Sequence, residues 1–184
     1  MSAALFLVAP TDTTPDRLAE ALRATLAAHA VSALLLQRGA LAENAYKSLV
    51  KTIAPLAQAA GTAVLIEGEP GLVRLLGVDG LHVPGGVKAV REAINVLKPG
   101  LIVGVGDIGT RHDAMQKAEL DVDYILFGPL SGAISEPERD LAQWWAETME
   151  IPGVLSDPAA SIESHDAAGC EFIGLPLRLA EAGK

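Results

Sequence analysis

Glu67 and Glu69, separated by a single glycine, offer two carboxylates of the hard-oxygen kind that holds Mg²⁺; on a loop they can equally stand solvated. Arg38, directly after Gln37, can neutralise an anion or pair with Glu67 or Glu69 across neighbouring strands, and the two roles are compatible. His82 can donate to a phosphate, move a proton near neutral pH, or bond to nearby backbone. Asp107 is placed to cap the segment after it, which opens at Arg111. Lys88, Arg111 and Arg178 are the remaining basic residues that fall near the same positions. His29, His112 and His165 stand at no metal-ligand spacing, and the lone Cys170 excludes an internal disulfide and reads as a small buried side chain.

These residues follow short apolar runs, which is what gives their spacing meaning. The runs are Ala4–Val8, Ala33–Leu36, Ala63–Ile66, Gly80–Val83, Leu101–Val105, Tyr124–Phe127, Gly153–Leu155 and Glu171–Gly174. Helical patterns lie between and after them, at Pro15–Ala28, Leu41–Ala60, Pro70–Leu76, Val87–Leu97, Thr110–Leu120, Pro137–Met149, Ala160–Ala168 and Leu177–Ala182. Thr14-Pro15 and the Asp107–Thr110 stretch supply start signals, and Gly61, Gly77, Gly100 and Gly169 supply stops. Continuous apolar strands alternating with helices predict a parallel sheet covered by its crossovers, and repetition of the unit predicts closure into a compact (β/α)₈ TIM barrel, a single domain over residues 1–184. Such barrels typically take about 250 residues, so this one needs short loops and abbreviated third, seventh and eighth helices; the competing architecture is an open doubly wound sheet.

In a barrel the chemistry sits at the carboxyl ends of the strands. Reading the residues just past each run gathers Gln37 and Arg38, Glu67 and Glu69, His82, Asp107, Gly128 with Ser131, and Ser156 into one ring.

Composition narrows the partners. A formal net charge of -9 without a Lys/Arg cluster disfavours nucleic acid, and aromatics at 4% provide no stacking platform for single strands. The longest uncharged run, Thr52 to Ile66, spans about 15 residues and contains Pro55 and Gly61, so no membrane span is expected and the location expected is cytoplasmic. Trp144-Trp145 concentrates aromatic surface on one helix; either both cover the barrel wall or one faces a partner in a homodimer.

The segments Asp79-Gly80-Leu81-His82-Val83 and Asp121-Val122-Asp123-Tyr124-Ile125-Leu126-Phe127-Gly128-Pro129, with Gly104-Val105-Gly106 between them, resemble the thiamine phosphate synthase and thiazole tautomerase family. That resemblance implies a (β/α)₈ barrel that joins a pyrimidine diphosphate to a thiazole phosphate, with Mg²⁺ on the diphosphate and pyrophosphate released. It implies a small phosphorylated heterocycle as substrate and Arg38, His82 and Asp107 as catalytic residues, Asp107 as the base in a tautomerase-like proton transfer. Gln37, Arg38, Gly128, Ser131, Ser156 and Gly174 would bind substrate or phosphate, and Glu67 and Glu69 the metal.

The chain also departs from the family pattern. Gln37-Arg38-Gly39-Ala40 keeps the family's arginine but not its lysine, Glu67-Gly68-Glu69 replaces an Asn-Asp pair, and Pro84-Gly85-Gly86-Val87-Lys88 lacks a second acidic ligand. Leu130-Ser131-Gly132-Ala133 stands where the family has Thr and Lys, Ser156-Asp157-Pro158 where it has a phosphate-binding Gly-Gly, and Leu175-Pro176-Leu177 where it has Ser-Ala-Ile. Three functions are therefore carried forward: a thiamine phosphate synthase, a tautomerase-like isomerase, and a catalytically degenerate barrel that binds a ligand or a partner.

Overall fold

The computed structural model describes residues 2–181. Its elements run β1 (Ala4–Val8), α1 (Pro15–Ala28), β2 (Val31–Leu36), α2 (Glu43–Ala59), β3 (Ala63–Ile66), α3 (Gly71–Leu76), β4 (Gly80–Val83), α4 (Val87–Leu97), β5 (Ile102–Val105), α5 (Arg111–Ala118), β6 (Tyr124–Phe127), α6 (Glu136–Thr148), β7 (Gly153–Ser156) and β8 (Phe172–Pro176). Every neighbouring pair is parallel, and β1 pairs with β8 in register from Ala4↔Phe172 to Val8↔Pro176, closing the barrel. The open-sheet alternative is thereby excluded.

The strands are apolar on both faces because both faces are buried. Side chains alternate across each strand: Phe6, Val8, Ala33, Leu35, Leu65, Tyr124, Leu126 and Val154 fill the barrel, while Leu7, Leu34, Leu36, Val64, Ile66, Ile125, Phe127 and Leu155 pack outward under the helices. Helix starts follow local chemistry. Thr14 Oγ1 accepts from Arg17 N ahead of Pro15 at the first turn, and Ser135 and Glu138 form a reciprocal capping box at α6.

Two expected helices do not form. Residues 160–168 make turns instead, because short polar side chains capture the local backbone: Asp157 Oδ1 accepts from Ala159 N, Ser161 Oγ from Ser164 N, and Asp166 Oδ1 from Ala168 N. Past β8, Leu177 N donates to Val8 O, and the carbonyl of Ala180 accepts from Arg17, which ties this non-helical stretch to β1 and α1; Ala182 lies outside the described residues. The barrel wall therefore carries six helices among the described residues, which is how eight strands fit a chain this short. Other boundaries differ from the sequence expectation by one or two residues, with two-residue shifts at the start of β2, the start of α2, the end of α5 and the end of β8.

Candidate functional site

At the tips of β2 and β3 some of the polar contacts serve the fold. Tyr46 projects from α2, fully buried; its hydroxyl donates to Leu36 O at the end of β2 and accepts from Glu67 N just past β3 at 3.0 Å. Gln37 Nε2 donates to Ala9 O at 3.1 Å, tying the β2 tip to the β1 tip. These three bonds set the rim on which Arg38 and Glu67 sit.

Arg38 donates through Nε to Leu41 O at 3.0 Å, and its backbone N–H lies 3.5 Å from Glu67 Oε2. The cross-strand ion pair considered from the sequence is not formed: among the described residues the guanidinium has no carboxylate partner within salt-bridge distance, so its charge is free for a ligand. Glu67 is partly buried, and desolvation raises its carboxyl pKa against the opposing effect of the Arg38 N–H.

His82, at the third position of β4, points into the barrel and is 1% exposed. Its Nδ1 lies 2.7 Å from the Tyr124 hydroxyl of β6, and the two rings stack with centroids 5.8 Å apart at 11°. Burial lowers the imidazole pKa to about 4 and raises that of the Tyr124 phenol, so both groups are neutral at pH 7. The backbone reading of His82 is thus corrected: its partner is a side chain from a strand two places away.

Gln37, Arg38, Glu67, Glu69 and His82 line one cavity of about 620 Å³, together with Glu92 of α4 and the Pro84-Gly85 turn. Three carboxylates and one guanidinium make its wall acid-rich. Among the described residues no trio of His, Cys, Asp or Glu converges as a metal cage. The donors present nevertheless fit Mg²⁺, a hard cation usually held by one or two carboxylates with water and phosphate oxygens completing its shell.

The remaining candidates are distributed round the rim. Asp107 is exposed at a left-handed φ of 56° and does not cap α5; Thr110 does, accepting from Asp113 N at 3.1 Å. Beneath it Lys117, 3% exposed, donates to Gly106 O, Asp107 O and Asp113 Oδ2 at 3.3, 3.4 and 3.1 Å. Ser131 is exposed, whereas Ser156 Oγ donates to Pro129 O at 2.7 Å, joining the β6 and β7 tips. Gly128 has φ 90°, and a Cβ there would come 2.5 Å from Ser156 O; a Cβ at Gly174 would come 3.1 Å from Ser156 Cα. Asp157 is engaged too, accepting from Arg139 at 2.9 Å and from Ala159 N at 3.1 Å. Arg111 is drawn away from the strand tips and stacks 4.6 Å over the Trp144 ring, and Arg178 donates to Ala160 O. Cys170 is buried as expected, its thiol pushed up to about 12.

Sequence reasoning missed Tyr124, Glu92, Lys117 and Arg139. A signal existed for Tyr124: Gly104 lies opposite it in register, and a Cβ at Gly104 would fall 1.9 Å from Tyr124 Cζ. A glycine facing an inward tyrosine marks a ring laid across the barrel.

Residues 5–156 match the family model described as thiamine monophosphate synthase. The chain is 32% identical over 155 residues to the thiamine-phosphate synthase of Rhodospirillum centenum, covering 82% of this chain and 75% of that protein. It is 30% identical over 170 residues to the thiamine-phosphate synthase of Hyphomonas neptunium, covering 85% and 76% respectively. The fold superposes on a thiamine phosphate pyrophosphorylase from Pyrococcus furiosus with a TM-score of 0.76 at 14% identity, over 94% of this chain and 85% of that one. It also superposes on a 3-keto-L-gulonate-6-phosphate decarboxylase from Vibrio cholerae with a TM-score of 0.70 at 13% identity, over 95% and 89%. At these identities the structural likeness speaks for the barrel alone.

Proposed function

Since the chain belongs to the thiamine monophosphate synthase family, we propose that it couples a hydroxymethylpyrimidine diphosphate to a thiazole phosphate, releasing pyrophosphate. The observation that carries this reading is the single cavity at the β2–β4 tips that gathers Gln37, Arg38, Glu67, Glu69 and His82. Departure of a diphosphate builds negative charge on the leaving oxygens, and a preformed cation facing them stabilises that charge where it develops. Arg38 supplies the cation, held by its bond to Leu41 O and, among the described residues, without a carboxylate partner at salt-bridge distance. Glu67 and Glu69 would hold Mg²⁺, which when bound offsets the charge of the diphosphate and allows it into an acid-rich cavity. His82, neutral at pH 7, takes part as a hydrogen-bond donor rather than as a cation.

A second reading is favoured by the opposite rim. There Ser156 Oγ is committed to Pro129 O and Arg139 to Asp157, so neither this hydroxyl nor this cation is free for a second phosphate. On that reading the barrel binds a phosphorylated heterocycle without turning it over, or isomerises one with exposed Asp107 as base.

Single-turnover formation of thiamine phosphate with Mg²⁺ and excess protein separates the readings. Product that is lost in Arg38→Ala supports the synthase. Product absent from the unaltered protein overturns it, and binding of thiazole phosphate in the same preparation then supports the second reading.

A further inference from the structure

Among the described residues the Tyr124 hydroxyl has one hydrogen-bond partner, His82 Nδ1. The surroundings supply no competitor: the Tyr124 ring is edged by Phe6 at 5.4 Å and packed with Leu65, Leu126 and Val154 in the barrel interior. A phenol and a neutral imidazole can share this contact in two ways. The phenol is the stronger acid and the bare imidazole nitrogen the stronger base, so the hydroxyl donates to Nδ1 and the ring keeps its own hydrogen on Nε2.

Nε2 lies on the side of Gly106, where a Cβ would approach it to 2.8 Å, and it has no hydrogen-bond partner among the described residues. The absence of a side chain on Gly106 leaves room for the imidazole at that nitrogen, and His82 is also part of the wall of the cavity that holds Arg38 and Glu67.

We propose that Tyr124 is a positioning residue that fixes His82 as its Nε2–H tautomer and presents that N–H beside Gly106 at the strand tips as a hydrogen-bond donor. The opposite tautomer would present a lone pair there and repel an anionic oxygen. The tautomer itself follows from the Tyr124–His82 pair; only the nature of the acceptor rests on the function proposed above.

The test is nuclear magnetic resonance of the full chain with isotope-labelled histidine at neutral pH, the His82 ring being assigned among the four histidines by His82→Gln. The expected spectrum has an unprotonated Nδ1 and a protonated Nε2, and Mg²⁺ with inorganic pyrophosphate shifts the Nε2 resonance. Tyr124→Phe keeps the ring and removes the hydroxyl; the expected result is a mixture of tautomers and pyrophosphate binding weaker by about threefold to tenfold. A protonated Nδ1 in the unaltered protein overturns the proposal without any variant. An unchanged tautomer in Tyr124→Phe overturns it as well. A tautomer that depends on Tyr124 but ignores pyrophosphate supports the positioning role and removes the anion reading of the cavity instead.

Discussion

The Tyr124 ring occupies the space in which Gly104 lacks a side chain: a Cβ on Gly104 would lie 1.9 Å from Tyr124 Cζ and 2.0 Å from Cε1. The two residues are register partners on β5 and β6, so neither can move aside without shifting a strand. Gly104→Ala should therefore act as an overpacking mutation at its severe end, costing about 3 kcal/mol. Urea unfolding measures it, and a cost below about 0.5 kcal/mol would mean that the ring has room the structure does not show.

Protonation of His82 opposes folding. Its pKa is about 4 in the fold and 6.5 when free, so below pH 6.5 the unfolded chain binds a proton that the folded chain refuses. Stability contributed by this group is full above pH 6.5 and is lost as pH falls toward 4, by about 3 kcal/mol across the interval. Unfolding free energies measured along that interval should lose this slope in His82→Gln. An identical slope in the variant would assign it to other groups.

Glu67 has the opposite sign. Burial raises its carboxyl pKa above 4.5, so ionisation costs the folded state more than the unfolded one, and stability falls as pH rises through that window. Glu67→Gln should melt higher than the parent at pH 7 and at the same temperature below pH 4, since glutamine can still accept from Arg38 N. The melting temperatures at the two pH values decide it. In the same variant the Mg²⁺ dependence of any turnover should weaken.

Arg139 and Asp157 form an ion pair at 2.9 Å, with Asp157 only 9% exposed. Removing the cation leaves the carboxylate short of a partner in a poorly solvated place. Arg139→Ala should cost about 1 to 2 kcal/mol, less than a fully buried pair because the arginine is partly solvated. Double substitution with Asp157→Asn should recover part of the loss, and purely additive costs in that cycle would show that the pair is not coupled.

How much of this was legible in advance divides along the range of the interactions involved. Apolar runs such as Ala63–Ile66 and Tyr124–Phe127 announce strands, Thr14-Pro15 announces a helix start, and the alternation of the two announces a parallel barrel. These are local properties, set by periodicity and by caps a few residues long, and the family-like segments around His82 and Tyr124 are contiguous as well. Placing Gln37, Arg38, Glu67, Glu69 and His82 at the ends of β2, β3 and β4 followed from those boundaries, and the structure brings all five to one cavity.

What the tertiary structure alone decided depends on distant partners. Residues 160–168 read as a helix from their place between two strands, yet serine and aspartate side chains take the backbone bonds instead. Asp107 reads as a cap until Thr110 is seen accepting the bond, and Arg111 reads as a strand-tip cation until Trp144 is seen beneath it. The role of His82 turns on Tyr124, 42 residues away in sequence and 2.7 Å away in space. Closure of the barrel is what makes such partners neighbours: a side chain's chemistry is fixed by the groups that surround it, and inside a barrel those groups come from strands that no local pattern connects.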